Sequence, residues 1–505
     1  MFGPQTTNSG DHLSTLDRRT FLRNGTTAGV GLIGAGAVQA LTARTALAKK
    51  GPQASPYGPV VPMRDRTTGR QILALPRGFK YATFGAIGST MSDGNRTPLA
   101  LDGMAAFAHP SGDKKLTRLI RNHEDRNAKN TGSNRPTLAE AATVYDPQAG
   151  AGTSTLDFDT VKMDLVQDFI SLKGTIVNCA GGQSLGQTGW LTGEETVQTY
   201  DGVKHGYAFF VPVDRDLGDG VGGQPIVPMG RFAHEAAAVD GAGIVYQTED
   251  AGTGRGSGFY RYIPTAPTDL FAGGRLEMLA VVGQDNADLR EGQVVGDALP
   301  VRWVPIATPD TDGQNNDTAG SVYQQGFVLG GAKFNRLEGC WADGRNSIFF
   351  CSTSGGDVKN GDVNSDGYKE GFGQVWQYRT DNMGGTLTLV YESTGSEALD
   401  SPDNLLVTPR GGIILCEDDA SSDSDTNPAN PTIEDVNRLI GFSRSGGAFE
   451  FAVNILNDAE LAGATFSPDG KVLFVNIFGS SRGTVDESDE GMTIAIRGPW
   501  AKGPL

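Results

Sequence analysis

Apolar and polar positions alternate along most of the chain, in short runs broken by Gly-rich turns. "ELAGATFSPDGKVLFVNIFG", from Glu460, places two apolar runs around Ser-Pro-Asp-Gly. The same design recurs in "HEAAAVDGAGIVYQTEDAG" from His234, "LEGCWADGRNSIFFCSTSGG" from Leu337 and "PDNLLVTPRGGIILCEDDA" from Pro402. Looser copies are "LDGMAAFAHPSGDKKLTRLIRNHED" from Leu101 and "LKGTIVNCAGG…GWLTGEET" from Leu172. A period of two around turn residues specifies hairpins. A third run follows several copies: "GFYRYIP", "GQVWQYRT", "NRLIGFSR" and "MTIAIRGPW". The expected fold is all-β, a six-bladed β-propeller, with two packed β-sandwiches as the alternative. Six units in 505 residues each exceed the ~40–45 residues of an ordinary blade, so long insertions are expected at 127–167, 266–327 and 420–435.

Composition agrees. Glycine supplies 71 of 505 residues, about twice its usual share, as a turn-rich β fold requires. A net charge of −17 argues against a nucleic-acid partner and suits hard cations held by acids. The first residues carry a separate message. "DRRTFLR" holds the arginine pair Arg18-Arg19, an apolar Gly/Ala-rich run follows, and Ala46-Leu47-Ala48 fits a small-x-small cleavage site. This order of parts predicts a twin-arginine (Tat) export signal over 1–48. A leader over 49–80 and a single propeller over 81–505 complete the expected organisation. The product is expected to be a periplasmic or extracellular monomer, handled by the Tat machinery and folded before export.

In a propeller the first strand of each blade lines a central channel, so equivalent strand ends converge on one mouth. Acids recur at those ends: Asp102, His123-Glu124, Glu194-Glu195, His234-Glu235, Glu249-Asp250, Glu338, Asp403 and Glu417-Asp418. Cys179 falls among them. Crowded carboxylates repel unless cations intervene, so a polynuclear metal centre is expected there. Candidate ligands are Cys179, Glu124, Glu194, Glu195, Glu235, Glu249, Asp250, Glu338, Glu417 and Asp418, either member of each acid pair being eligible. Cys179 alone is also consistent with a buried hydrophobe or half of a disulfide. The other cysteines are Cys340, Cys351 and Cys416, and Cys340 and Cys351 flank a hairpin that would let them bridge. Only five histidines make a His-rich zinc site unsuitable. Arg336, two residues before Glu338 on an expected strand, would share its face and clamp phosphate. "GDVNSDGYKEG" resembles the first half of a Ca²⁺ loop, with Asp362, Asn364, Asp366 and Glu370 as accessory ligands, although Gly373 stands where an EF-hand has Glu. No G-x-S-x-G elbow or P-loop is present.

"RRTFLR", "DGMAAFA", "RNHE", "NCAGG", "WLTGEE", "GRFAHEAAAV", "SPDNLLVTPRGGIILCED", "ATFSPDGKVLFVNI" and the closing "RGPW" together resemble the PhoX family of Tat-exported alkaline phosphatases. The resemblance implies a propeller holding Fe³⁺ and Ca²⁺. It implies an iron-binding thiolate at Cys179, a metal-binding carboxylate at Glu235, and a phosphate-binding arginine with a metal-binding glutamate at Arg336 and Glu338. Its paired acids fall on Glu194-Glu195 and Glu249-Asp250. The chain departs from the family at Gly193, where a cysteine is usual, and at "SLGQTGW", residues 184–190, in place of an aromatic stretch. That loop is therefore expected to set the substrate. The expected function is a secreted metal-dependent phosphatase acting on small phosphomonoesters. The alternatives are a non-catalytic Ca²⁺-binding propeller and a phosphodiesterase or lactonase-type propeller enzyme.

Overall fold

The computed structural model describes residues 52–505 apart from 128–141, 151, 253–254, 314–315, 317, 357–369, 382–383, 420–426, 428–429, 443–445 and 487–488. The expected export signal and Asp362, Asn364 and Asp366 lie outside the described residues, while Glu370 is half-buried. The described part is all-β, with antiparallel sheets and one short α-helix, Val322–Phe327. No helix among the described residues is long and apolar enough to cross a membrane.

Six strands organise the molecule: Leu101–Ala108, Asn178–Gln183, His234–Val239, Leu337–Ala342, Pro402–Val407 and Leu461–Phe466. Each neighbours the next, and the sixth neighbours the first, so they form a closed inner ring. From each, a meander runs outward. Its second strand is joined by a tight turn whose chemistry is local. Asp240 Oδ1 accepts from Ala242 and Ile244 N–H at 2.9 and 3.0 Å, and Asp343 Oδ1 accepts from Arg345 and Ser347 N–H at 2.8 and 3.1 Å.

The third runs read from the sequence are strands Phe259–Ala266, Gln374–Arg379, Arg438–Phe442 and Met492–Arg497. Two expected insertions are partly sheet. Thr153–Asp159 and Asp164–Leu172 complete the first meander, so the second begins at Asn178 rather than Leu172. Within 266–327, Asp269–Val281 completes the third meander. Ala298–Pro305 then pairs with Thr386–Glu392, fusing the third and fourth meanders into one nine-stranded sheet. The leader is also built in: Val60–Arg64 and Gln71–Pro76 extend the fifth sheet. Lys80–Phe84 pairs with Met492–Arg497, so an N-terminal strand completes the last sheet and closes the ring.

Apolar side chains fill the spaces between neighbouring sheets. Between the fifth and sixth, Phe79, Phe451 and Trp500 pack around Tyr57, with Phe79 and Trp500 rings 4.8 Å apart. The Tyr57 hydroxyl donates to Trp500 O at 3.1 Å and accepts from Leu505 N at 2.9 Å, tying both ends of the described chain together.

The inner strands approach too closely for ordinary side chains. A Cβ on Gly182 would sit 1.8 Å from Ala237 O, and one on Gly339 would sit 2.4 Å from Leu405 N. The glycines of "NCAGG" therefore belong to a strand, not a loop. Midway along the ring only about 20 Å³ is open, bounded by Gly103, Ala180, Gly339 and Gly463. The channel is thereby narrow between its two mouths.

Candidate metal centre

All six inner strands begin at the same mouth. In five of them the ladder slips at the same place. Leu101 pairs with His123, Asn178 with Glu194, His234 with Glu249, Leu337 with Ser352, and Pro402 with Glu417. Pairing then resumes at Met104, Gly181, Ala237, Cys340 and Leu405 with the register shifted. The residue just after each first pair lies inside this bulge: Asp102, Cys179, Glu235, Glu338 and Asp403. A bulge re-aims a side chain that a regular ladder would turn into a sheet face. Four of these strands are entered through a non-glycine residue with left-handed backbone: Ala100 (φ +53°), Val177 (+51°), Arg336 (+40°) and Ser401 (+44°). Such strain, about 1–3 kcal/mol each, persists where surrounding structure enforces it. In the sixth strand the slip falls one residue later and the equivalent position is Ala462.

Ligand-type atoms come together in four overlapping groups, the atoms of each lying within 4.8 Å of one another. The groups are Asp102–Glu124–Cys179, Cys179–Glu195–Glu235, Glu235–Glu338–Asp403 and Asp403–Asp418–Glu460. Eight carboxylates and one thiol thus form one connected cluster at the mouth. Burial, then repulsion from neighbouring acids, pushes Asp102, Glu235 and Glu460 well above the usual carboxylate range. Burial and Asp418 raise Asp403 to about 7. Burial and Asp102 likewise raise the Cys179 thiol.

Glu235 is the clearest case. Its side chain is sealed from solvent, yet neither carboxylate oxygen has a hydrogen-bond partner. A buried carboxylate without a donor is costly by several kcal/mol, and a bound cation removes that cost. The donor set of carboxylate oxygens with one thiolate sulfur suits hard cations beside a thiophilic transition metal. The residues present therefore fit a multi-ion centre. A cation beside Cys179 would reverse its shift and hold it as thiolate.

Each adjacent acid pair divides its labour. The first member lies on the ladder and points back into its sheet; the second passes the strand's end into the mouth. Glu194 accepts from His205 Nδ1 at 2.7 Å and Gly206 N at 2.8 Å. Glu249 accepts from the Tyr260 hydroxyl at 2.7 Å and Gly258 N at 2.9 Å. Glu417 takes both Arg438 nitrogens, Nε at 2.6 Å and Nη2 at 2.7 Å. These three expected ligands lie outside the four groups and are anchored to partners inside their own meanders. Their successors Glu195 and Asp418 join the cluster, and so does Glu124, the residue after buried His123. Asp250 reaches the mouth but grips Arg336, accepting from Nε at 3.1 Å and Nη2 at 3.0 Å.

Arg336 precedes its strand rather than lying on it. Its left-handed turn still brings Nη2 to 3.1 Å from Glu338 Oε1, with the side chain partly exposed at the mouth. Burial would lower its pKa, but Asp250 and Glu338 outweigh that and keep it charged. Arg126 ion-pairs with Glu124 and Glu195 on the other side. Arg126 belongs to no acid pair or repeated position, whereas Glu460 opens the last repeat and joins the cluster from the residue before its strand. Asp102 and Asp403 were legible as recurring acids but not singled out as ligands. A polar pocket of about 260 Å³ opens beside Glu195 and Asp250, lined by Thr196, Gln198, Arg231 and Asn316.

Two other expectations meet different geometry. Cys340 sits opposite Phe350, so the adjacent Cys351 faces the other side of the sheet and no bridge forms; all four cysteines are free and buried. "SLGQTGW" forms the hairpin turn at the far end of the second inner strand. Ser184, Leu185, Gly186 and Gln187 line a cavity of about 560 Å³ at the opposite mouth, away from the acids.

The family described as alkaline phosphatase PhoX matches residues 55–480. Among solved structures, Pseudomonas fluorescens PhoX in complex with vanadate, a transition-state analogue, is 18% identical. That match covers 88% of this chain and 98% of the other, with a TM-score of 0.60. A calcium-binding regucalcin of Agrobacterium tumefaciens is 11% identical, covering 84% of this chain and 97% of its own, at a TM-score of 0.35. No curated protein matches the chain in sequence.

Proposed function

The chain belongs to the PhoX family of alkaline phosphatases and is a phosphoester hydrolase; from that premise we propose that it cleaves small phosphomonoesters at a Ca²⁺- and Fe³⁺-containing centre in the acidic mouth of a six-bladed propeller. The observation that carries the reading is Glu235, a buried carboxylate with both oxygens unpartnered, shared by two of the clustered groups. Glu235, Cys179, Asp102, Glu124, Glu195, Glu338, Asp403, Asp418 and Glu460 would hold the ions. Cys179 is the donor suited to iron and the carboxylates suit calcium. When bound, the ions would supply positive charge to a phosphate and to the oxygen that displaces its ester.

The chain's own part is positioning. Arg336 is held by Asp250 and Glu338 with its side chain reaching the mouth, so its N–H groups are aimed where phosphoryl oxygens would lie. Asp250 keeps that guanidinium from swinging away. The pocket beside Glu195 and Asp250 offers polar walls for the alcohol half of an ester. The six inner strands correspond to six blades closed by Lys80–Phe84. Arg18-Arg19 and the following apolar run support Tat export.

The test is release of p-nitrophenol from p-nitrophenyl phosphate by the purified protein. The reading predicts turnover that is abolished by chelator and restored by metal. Turnover of a diester alone would move the substrate class, and chelator-insensitive activity would contradict the metal centre.

A further inference from the structure

Each cluster carboxylate that follows a strand end is held by the anchor before it, and the second anchor is unlike the rest. Glu249 is held by a tyrosine hydroxyl and Glu417 by an arginine. Glu194 is held by a histidine that itself lies between two acids. His205 Nδ1 is 2.7 Å from Glu194 Oε1, and Nε2 is 3.3 Å from Asp146 Oδ2. All three side chains are buried. A carboxylate at each ring nitrogen gives both N–H groups of a protonated ring an acceptor. The rings of Tyr145 and Tyr200 meet the imidazole edge-on at 5.7 and 5.9 Å, and Arg231 Nε donates to His205 O at 2.8 Å. The other carboxylate edge of Glu194 is taken by Gly206 and Tyr207 N–H at 2.8 and 3.3 Å, and Oε1 also accepts from Ile176 N at 3.1 Å.

These bonds tie two separate segments, Ile176 and His205–Tyr207, to one carboxylate, with Asp146 held behind His205. The next residue, Glu195, is fixed by its own N–H to Val177 O at 2.8 Å, and its side chain completes the group with Cys179 and Glu235. His205 is not among the clustered groups itself.

We propose that His205 is a positioning residue for the ion centre: acting through Glu194, with Asp146 behind it, it fixes the strand end so that the Glu195 carboxylate reaches Cys179 and Glu235. The inference rests on the metal-centre reading. It assigns His205 an effect on ion retention that is transmitted only through Glu195.

The test is a double-mutant cycle on the holoenzyme, reading the rate of ion loss into excess EDTA by elemental analysis. His205→Gln is expected to speed ion loss about tenfold, and Glu195→Gln by at least as much. The double variant His205→Gln/Glu195→Gln is expected to match Glu195→Gln alone. Equal acceleration by His205→Gln in both backgrounds would show general loosening and overturn the proposal, as would no acceleration in either. Glu194→Gln, which keeps its backbone hydrogen bonds, is read in the same cycle if His205→Gln does not fold. Failure of both to fold would make the triad a requirement of the core and overturn the local role. Wild-type protein without bound ions would overturn the metal centre, and this inference with it.

Discussion

At the start of the inner strands Asp102, Cys179, Glu235, Glu338 and Asp403 crowd one buried space. At the other end of the same strands Gln183, Val239, Ala342, Val407 and Phe466 line a cavity of about 560 Å³. That far mouth has acids too, but Asp240 and Asp343 spend theirs inside their own turns. The two mouths share one set of strands and one close-packed neck. They differ in how the backbone arrives. Bulges preceded by left-handed residues aim side chains inward at the first mouth, whereas ordinary hairpin turns finish the second. Chemistry in this molecule therefore follows the local irregularity, not the repeat.

The largest expected difference between the mouths is in catalysis. Glu235→Ala and Cys179→Ala should each lower kcat/KM for p-nitrophenyl phosphate by about 10³-fold or more, by removing a ligand on which several ions depend. Arg336→Ala should lower it by about 10²-fold, the usual effect of deleting one charged transition-state donor. Asp250→Asn should weaken the same contact by a smaller factor, because Arg336 keeps Glu338.

A sharper break runs within one pair. Asp418→Asn should lose activity with little change in Tm. Glu417→Gln should instead lose stability, about 3 kcal/mol, because Arg438 is left buried beside a neutral partner. Denaturation with and without chelator separates the two.

The pair rule was half legible. The recurrence of acids at equivalent strand ends identified the mouth, and the hairpin spacing gave the inner strands. What went unread was the period of two itself. Ladder residues His123, Glu194, Glu249 and Glu417 must point away from the side taken by the next residue, so only the second member can reach the channel. Cys340 and Cys351 fail to meet for the same reason. Arg126 carries no repeat signal, Glu460 opens a repeat without being marked as a ligand by an acid beside it, and Thr153–Asp159 is hidden because its pattern continues after a long loop. "SLGQTGW" lies near Cys179 in sequence, but the strand Asn178–Gln183 carries it to the opposite mouth.

pH offers a subtler contrast. Burial opposes protonation of His205, but Glu194 and Asp146 outweigh it and raise the imidazole to about 9 from an ordinary 6.5. A group raised on folding contributes stability fully below its unfolded value and loses it as pH climbs through the folded one. Stability of the wild type should thus fall between about pH 6.5 and 9 relative to His205→Gln, by roughly 3 kcal/mol in total. A parallel pH dependence in both proteins would assign the fall elsewhere. At the far mouth, Trp341→Ala should change kcat/KM by less than about twofold, since Trp341 lines the far cavity and the neck and is not among the clustered acids' neighbours in the groups at the other mouth. A tenfold effect would mean that the two mouths are coupled.

The most direct measurement is the ion content of the active, natively exported protein, compared with Glu235→Gln. A centre built from overlapping groups predicts more than one ion per chain, iron and calcium among them, with ions lost from the variant in step with activity. Full activity in wild-type protein that carries no bound ion would contradict it.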